Sequence, residues 1–118
     1  MQALDRLRQS GVRVFFVSNT TKESGASLMT RLRSIGFAVG EDEVVTSLSA
    51  ARTLVESRRL RPLLFLSDDA RKQFDGVDTA DPNAVVVGLA PAQFDYAHVR
   101  TLSFLYCCHS SIRVYFVC

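Results

Sequence analysis

The amino-acid sequence predicts an α/β protein in which short parallel strands alternate with helices. Short apolar runs, rich in β-branched or aromatic residues, lie between stretches whose apolar residues recur at helical spacing. The composition agrees with this class, because 47% hydrophobic and 22% charged residues are typical of a folded globular domain. A chain of 118 residues can bury one modest core, so two complete domains do not fit.

The first third of the chain predicts a helix, a strand and a second helix. Residues 2–9 place apolar side chains on one face, and Gly11 follows where a helix C-cap glycine belongs. Residues 12–17 (VRVFFV) are nearly all apolar, which predicts a strand covered on both faces of a parallel sheet. The next helix is predicted to end at Gly36, and its apolar positions are Leu28, Met29, Leu32 and Ile35.

The segment that follows predicts a turn and a capped helix. Residues 41–43 are polar and lead into a short apolar pair at 44–45. Thr46 and Ser47 are suited to cap a helix, because their hydroxyls can accept hydrogen bonds from its first backbone N–H groups. The apolar stripe predicted for that helix is Leu48, Ala51, Leu54 and Val55.

The rest of the chain continues the alternation of strands and helices. Residues 63–66 and 84–87 predict buried strands, and residues 68–74 predict a short helix between them. Residues 92–106 predict a longer helix, and residues 110–118 are apolar and β-prone. Candidate core positions of the long helix are Phe94, Val99, Leu102 and Leu105.

Charge and cysteine content exclude several classes of function. A net charge of +2 is too small to predict a nucleic-acid or anionic-membrane partner. No apolar run reaches the ~18 residues of a membrane span, and the first ten residues lack the apolar core of a signal peptide. The three cysteines are Cys107, Cys108 and Cys118, and their spacing does not suit a disulfide framework. Together with His109 they also lack the spacing of a zinc site. We therefore expect a reducing, cytoplasmic setting.

The candidate functional residues lie at the end of the first predicted strand. Ser18 and Asn19 follow this strand, and ligands of open α/β sheets bind outside the carboxyl ends of the strands. A hydroxyl and an amide near the start of the next helix could hold a phosphoryl oxygen. Ser and Asn are also common N-cap residues, so helix capping remains an alternative interpretation.

Several segments, taken in order, resemble the haloacid dehalogenase superfamily, in the branch whose phosphatases carry the larger C2-type cap. These segments are FVSNTTKES, RLRSIGF, EDEVVTSLSAARTLVE, RPLLFLSDD and DPNAVVVGLAPAQFDY. The resemblance implies a partial Rossmann-like core with a parallel sheet over residues 1–45 and part of an α/β cap over residues 46–96. The tail, residues 97–118, does not match the family.

The resemblance also implies a chemistry. Ser18 would donate its hydroxyl to the transferring phosphoryl group, and Asn19 would help to hold that group. The intact family hydrolyses small phosphorylated substrates (phosphoric monoesters, phosphoramides or pyrophosphate) through an aspartyl-phosphate, with Mg²⁺ as cofactor. Caps of this type can contribute subunit contacts, which makes a homodimer through the cap a candidate assembly.

The chain departs from the family pattern at the positions that carry out the reaction. It contains no D-x-[SD]-G-[TV] run for the nucleophile, no phosphate-pairing lysine run after the cap and no Gly-Asp-Asp run for magnesium. Lys22 is predicted to be a solvent-facing lysine on a helix, and one of Asp68 and Asp69 is predicted to cap a helix instead of forming a metal site. We therefore expect no catalytic or metal-binding residue in this chain, truncation at both ends, and no activity by the chain alone.

Two alternative interpretations remain open on the sequence. The chain could be a non-catalytic binding or dimerisation module, or a truncated product without function. The strand at 12–17 would lack its central neighbour and leave an open edge, which is a pairing hazard. The apolar tail is a candidate to fill that vacant position.

Overall fold

The computed structural model describes residues 2–108 and 112–117 and has the α/β architecture with parallel strands. The helices are α1 (Gln2–Gln9), α2 (Gly25–Ser34), α3 (Ser47–Ser57), α4 (Asp68–Arg71) and α5 (Tyr96–Cys108). The strands are β1 (Phe16–Ser18), β2 (Val44–Thr46), β3 (Pro62–Phe65), β4 (Ala84–Val87) and β5 (Arg113–Phe116). Short 3-10 turns occupy Glu41–Glu43, Lys72–Phe74 and Pro91–Gln93.

The strands form two separate parallel sheets, which define two lobes. In the first lobe, β1 pairs with β2 and α2 makes the crossover between them. In the second lobe, the strand order is β3-β4-β5, with α4 in the first crossover and α5 in the second. The described part of the chain is elongated: its radius of gyration is 17.0 Å, against about 13.5 Å for a compact chain of this length.

The hydrophobic core lies in the second lobe, on both faces of its sheet. On one face, α3 and the α4 segment pack against β3 and β4, and the buried residues are Leu48, Ala51, Val55, Leu64, Leu66, Ala70, Phe74 and Val86. On the other face, Leu102 of α5 and Ile112 pack against the strands, whose buried residues are Phe65, Val85 and Val87. The apolar stripe predicted for α3 is confirmed at three of its positions, and Leu54 is half-buried.

The glycine stops predicted for the first two helices are confirmed. Gly11 and Gly36 have φ angles of +77° and +98°, and each closes a pair of hydrogen bonds back to the last turn of its helix. Helix α3 ends with the same pair of bonds, but Arg59 takes the left-handed position with a φ of +51°. This conformation is strained for a residue with a Cβ atom.

The prediction for the first strand is wrong in its extent and its burial. The strand begins at Phe16 and not at Val12, because β2 supplies only three partner residues. Val12, Phe15 and Val17 are exposed, Val17 to 75%. An apolar run is buried on both faces only where other elements cover it, and the described residues cover one face of β1 incompletely.

Several predicted core positions are also exposed. Ile35 lies just past α2 with 63% of its surface exposed, and Phe94 and Val99 are about half exposed. Of the predicted α5 positions, Leu102 is the one that packs against the second core. Leu105 is half-buried.

The tail pairs with the second lobe. Residues 113–116 form β5, which is parallel to β4, so this segment does not fill the position beside β1. His109, Ser110, Ser111 and Cys118 lie outside the described residues. Among the helices of the described residues, none has the length and apolar content that crossing a bilayer requires.

Candidate functional site

The candidate site lies at the carboxyl edge of the first sheet. Ser18 is the last residue of β1, and Asn19 begins the loop that leads to α2. The register of the sheet places Ser18 directly beside Thr46, the last residue of β2. Two neighbouring parallel strands thus end in hydroxyl residues at the same edge, which is where α/β sheets bind ligands.

The Ser18 side chain has its proton available for a ligand. Its Oγ atom accepts a hydrogen bond of 3.2 Å from the backbone N–H of Thr20, which uses the oxygen but not the O–H. Asn19 is exposed, and within the described residues its amide has no hydrogen-bond partner. The edge therefore presents one hydroxyl donor and one amide donor side by side.

The capping interpretation of Ser18 and Asn19 is wrong. Helix α2 is capped by Ser24, whose Oγ accepts from the backbone N–H of Ser27 at 3.2 Å. The helix begins at Gly25, which separates it from Asn19 by a five-residue loop.

Thr46, in contrast, has the predicted capping role. Its hydroxyl accepts from the N–H of Ser49 at 3.0 Å, and the Ser49 hydroxyl accepts from the N–H of Thr46 at 2.9 Å. Thr46 is buried, so this hydroxyl stabilises α3 and is not offered to a ligand.

Asp68 and Asp69 do not cap their own helix. The cap of α4 is Ser67, whose hydroxyl accepts from the N–H of Ala70, while Asp68 is exposed. Asp69 instead reaches the other lobe, where its carboxylate accepts from the N–H of Ser24 at 2.9 Å. This hydrogen bond, with further contributions from Lys72 and Ser27, lowers the pKa of Asp69 to about 2. Sequence reasoning missed this contact because 45 residues separate its two partners.

Lys22 is exposed, as predicted, but it lies in the loop before α2 and not in a helix. Its carbonyl accepts a hydrogen bond of 2.8 Å from the Ser67 hydroxyl. The backbone of Lys22, not its charge, is thus what contacts the second lobe.

A groove of about 960 Å³ lies beside the N-terminus of α2, but neither Ser18 nor Asn19 lines it. Its cationic side chains are already engaged: Arg31 pairs with Glu23, Lys72 pairs with Asp69, and Arg52 pairs with Glu56. We therefore place the candidate site at the strand edge, where the donors are free.

A divalent cation such as Mg²⁺ requires several oxygen ligands from carboxylates, carbonyls or water. Within residues 2–108 and 112–117, no three side chains of the types His, Cys, Asp or Glu lie close enough to hold a metal ion together. Asp69, one of the two adjacent aspartates weighed as a metal site in the sequence, is already bonded to Ser24 and Lys72. The described residues do not fit a magnesium site on their own.

Comparison of the sequence with known proteins agrees with the resemblance to the haloacid dehalogenase superfamily. A family model described as haloacid dehalogenase-like hydrolase matches residues 1–80. The chain is 54% identical over 95 residues to the mouse protein haloacid dehalogenase-like hydrolase domain-containing protein 2. The matched region covers 80% of this chain and 37% of the relative. It is 38% identical over 100 residues to bovine phospholysine phosphohistidine inorganic pyrophosphate phosphatase, covering 85% and 37%. The chain thus spans less than two fifths of the length of these curated relatives.

Solved structures share the fold. The p-nitrophenyl phosphatase from Archaeoglobus fulgidus superimposes with a TM-score of 0.84 over 98% of this chain and 46% of its own, at 22% identity. The 4-nitrophenylphosphatase from Thermotoga maritima gives a TM-score of 0.81 over 96% and 45%, at 23% identity. At these identities the likeness concerns the fold alone.

Proposed function

The chain belongs to the haloacid dehalogenase-like hydrolases, a phosphatase family, and on that premise we propose that it supplies the phosphoryl-binding segment of such an enzyme. In this proposal Ser18 and Asn19 contact the oxygens of a phosphoryl group carried by a small substrate. The relative that is named as a phospholysine, phosphohistidine and pyrophosphate phosphatase supports a substrate with a P–O or P–N bond to be broken.

The observation that carries this proposal is the geometry of the Ser18 hydroxyl. Because Oγ accepts from Thr20, the O–H proton is left to be donated to a ligand, beside the exposed Asn19 amide. In phosphoryl transfer, negative charge is spread over the equatorial oxygens of the transferring group. Two hydrogen-bond donors at those oxygens would stabilise this charge.

We further propose that the chain alone does not turn over phosphate esters. Family chemistry attacks phosphorus with an aspartate in a D-x-[SD]-G-[TV] run, and the 118 residues contain no such run. Removing a nucleophile costs roughly 10⁴ to 10⁶ in rate in well-studied hydrolases. When bound, Mg²⁺ supplies charge neutralisation in this family, and the described residues contribute no ligand set for it.

We propose the division of the chain that the family resemblance implies: residues 1–45 as part of the core, residues 46–96 as part of the cap and residues 97–118 as the tail. The burial of α3 against β3 and β4 supports a boundary near Thr46, because this helix belongs to the core of the second lobe.

Cys107 and Cys108 are exposed free thiols, which supports a reducing compartment such as the cytoplasm.

Phosphate titration tests the proposed function. In ¹⁵N NMR spectra of the chain, inorganic phosphate should shift the backbone amides of residues 18–21 and the side-chain amide of Asn19. Ser18→Ala should weaken binding about tenfold or more, since hydrogen bonds to charged groups are strong, and Ser57→Ala, at an exposed hydroxyl ending α3, should not. Phosphate shifts elsewhere in the chain, or unchanged binding by Ser18→Ala, would refute the assignment.

A turnover assay tests the proposed inactivity. The chain with magnesium should not release p-nitrophenol from p-nitrophenyl phosphate above background. Magnesium-dependent release that is lost in Ser18→Ala would show that the chain is itself an enzyme.

A dimerisation module is the second candidate function. Helix α5 exposes aromatic side chains, with Tyr96 at 82%, Phe104 at 66% and Tyr106 at 68% exposed, and aromatic residues are enriched at protein interfaces. Light scattering of the purified chain would detect a homodimer, and the double substitution Phe104→Ser and Tyr106→Ser should return it to a monomer.

A further inference from the structure

The loop that begins with Asn19 is held by the second lobe. Four hydrogen bonds join residues 21–25 to residues 67–89, and we call this set the interlobe clasp. Its members are Thr21 with Leu89, Lys22 with Ser67, Ser24 with Asp69 and Gly25 with Gln73. In each pair, one side chain satisfies one backbone group on the opposite lobe.

Thr21 is the member of the clasp closest in sequence to the candidate site. Its side chain is buried, and its Oγ1 atom accepts from the backbone N–H of Leu89 at 3.1 Å. Gly88 allows this close approach, since a Cβ atom there would lie 3.3 Å from the Thr21 Cβ and 2.7 Å from a Leu66 methyl group. The chain after β4 therefore presses against a residue three positions beyond Ser18.

Asp69 and Gln73 hold the start of α2. They lie four residues apart, and both accept at 2.9 Å: Asp69 from the N–H of Ser24 and Gln73 from the N–H of Gly25. The first N–H groups of a helix have no partner within the helix. Here the second lobe provides those partners, and the negative charge of Asp69 lies at the positive end of the α2 dipole.

This arrangement separates two roles at the strand edge. The first backbone N–H groups of α2 are already bonded to Asp69, to Gln73 and to the Ser24 hydroxyl, so they are not free to hold an anion. The free donors are those of Ser18 and Asn19. The loop that carries Asn19 is thus fixed at its far end by groups that do not touch a ligand.

We propose that Thr21, Asp69 and Gln73 are positioning residues. Through the interlobe clasp, they set the geometry in which Ser18 and Asn19 bind a phosphoryl group. This inference rests on the proposed function. Coupling is reciprocal, so a phosphoryl group bound at Ser18 and Asn19 stabilises the clasp to the same extent that the clasp stabilises its binding. Phosphate occupancy and docking of the two lobes are therefore linked.

The test compares inorganic phosphate binding by clasp variants of the full chain, under conditions where circular dichroism shows each variant to be folded. Thr21→Val and Asp69→Ala each remove one acceptor and should raise the phosphate Kd about three- to tenfold. Thr21→Ser and Asp69→Asn keep an acceptor at the same place and should stay within about twofold of the wild type. The Asn19 side-chain amide shift at saturation should change in the first pair and not in the second.

Asn83→Ala is the matched control for a purely structural effect. Asn83 likewise satisfies a backbone N–H, that of Arg61 at 2.8 Å, but it does so at the opposite end of β3 and β4. Asn83→Ala should lower thermal stability while leaving the phosphate Kd unchanged. An equal rise in Kd for Asn83→Ala, or no rise for Thr21→Val and Asp69→Ala, would overturn the positioning role alone. A wild-type chain that does not bind phosphate would overturn the proposed function and this inference with it.

Discussion

Ser18 and Thr46 end neighbouring parallel strands in direct register, yet their hydroxyls have different roles. The Thr46 hydroxyl is buried in a reciprocal cap with Ser49, whereas the Ser18 hydroxyl keeps its proton for an outside acceptor. The same edge of the sheet therefore holds one residue that stabilises the fold and one that is available for binding.

Removing the Thr46 cap should destabilise α3 and the core that the helix covers. Thr46→Ala should lower the free energy of unfolding by about 1 kcal/mol, the usual cost of losing an N-cap side chain. Thr46→Ser retains the hydroxyl and should lose less than half of that. Urea denaturation of the three proteins measures the difference, and equal losses for Ala and Ser would show that the methyl group, not the cap, matters.

Replacing Arg59 with glycine should stabilise the chain. Arg59 adopts a φ of +51° at the end of α3, and a left-handed residue with a Cβ atom costs roughly 1 to 2 kcal/mol. Arg59→Gly should therefore raise the free energy of unfolding by about 0.5 to 1 kcal/mol, after allowing for the greater flexibility of glycine when unfolded.

The neighbouring residue provides the control for this change. Arg58 has a φ of −98°, which any residue adopts readily, so Arg58→Gly should destabilise the chain. Denaturant midpoints for the two glycine variants should thus move in opposite directions. A shift of both in the same direction would contradict the strain at Arg59.

How far the sequence predicted the structure depends on the range of the interactions involved. The Thr46 cap of α3, the glycine stops of α1 and α2, and the bounds of β4 were predictable because they depend on residues a few positions apart. The exposure of Val17 was not predictable, because it depends on which elements cover β1. The clasp was not predictable either, since Asp69 and Ser24 are 45 positions apart and Asp69 equally suits a local cap.

The same distinction holds for the candidate site. Strand-end position and residue type made Ser18 and Asn19 candidates but left helix capping open, and only the family resemblance implied a phosphoryl-binding role. Their freedom from capping became evident only when Ser24 proved to be the cap of α2.

Val17 should be tolerant of truncation, although the sequence predicts it as a core residue. It is 75% exposed, so Val17→Ala should change the free energy of unfolding by less than about 0.5 kcal/mol. Leu48 is fully buried against the second sheet, and Leu48→Ala should cost about 2 to 5 kcal/mol. A loss above 1.5 kcal/mol for Val17→Ala, measured by urea denaturation, would mean that something covers this face of β1 in solution.

The contact of Asp69 with the α2 N-terminus should make stability depend on acidity. The pKa of Asp69 is about 2 in the folded chain, below the value near 3.9 of an unfolded aspartate. The ionised carboxylate therefore contributes stability that is fully present above about pH 5 and is lost as the pH falls towards 2. Asp69→Asn should be less stable than the wild type at neutral pH, and the gap should close between about pH 4 and pH 2.

Urea midpoints recorded at several pH values for both proteins measure this gap. Asp5→Asn serves as the control, because it removes an exposed carboxylate from α1, remote in sequence from the clasp. Its gap from the wild type should stay small at every pH. A wild-type and Asp69→Asn difference that is constant with pH would contradict the electrostatic role of the carboxylate.

Gly88 and Leu66 should be energetically coupled. A Cβ atom on Gly88 would lie 2.7 Å from the Leu66 Cδ2, and Leu66 is fully buried, so the methyl group has no open space to occupy. Gly88→Ala should cost about 1 to 3 kcal/mol of unfolding free energy through overpacking. Leu66→Val removes that methyl group, and on its own it should cost about 1 kcal/mol for the lost contacts. The double variant should be more stable than the sum of the two losses predicts, by about 0.5 kcal/mol or more, because the valine makes room for the alanine. Additive losses in urea denaturation would mean that the two side chains are not in contact. They would also contradict the close approach of the chain after β4 to Thr21.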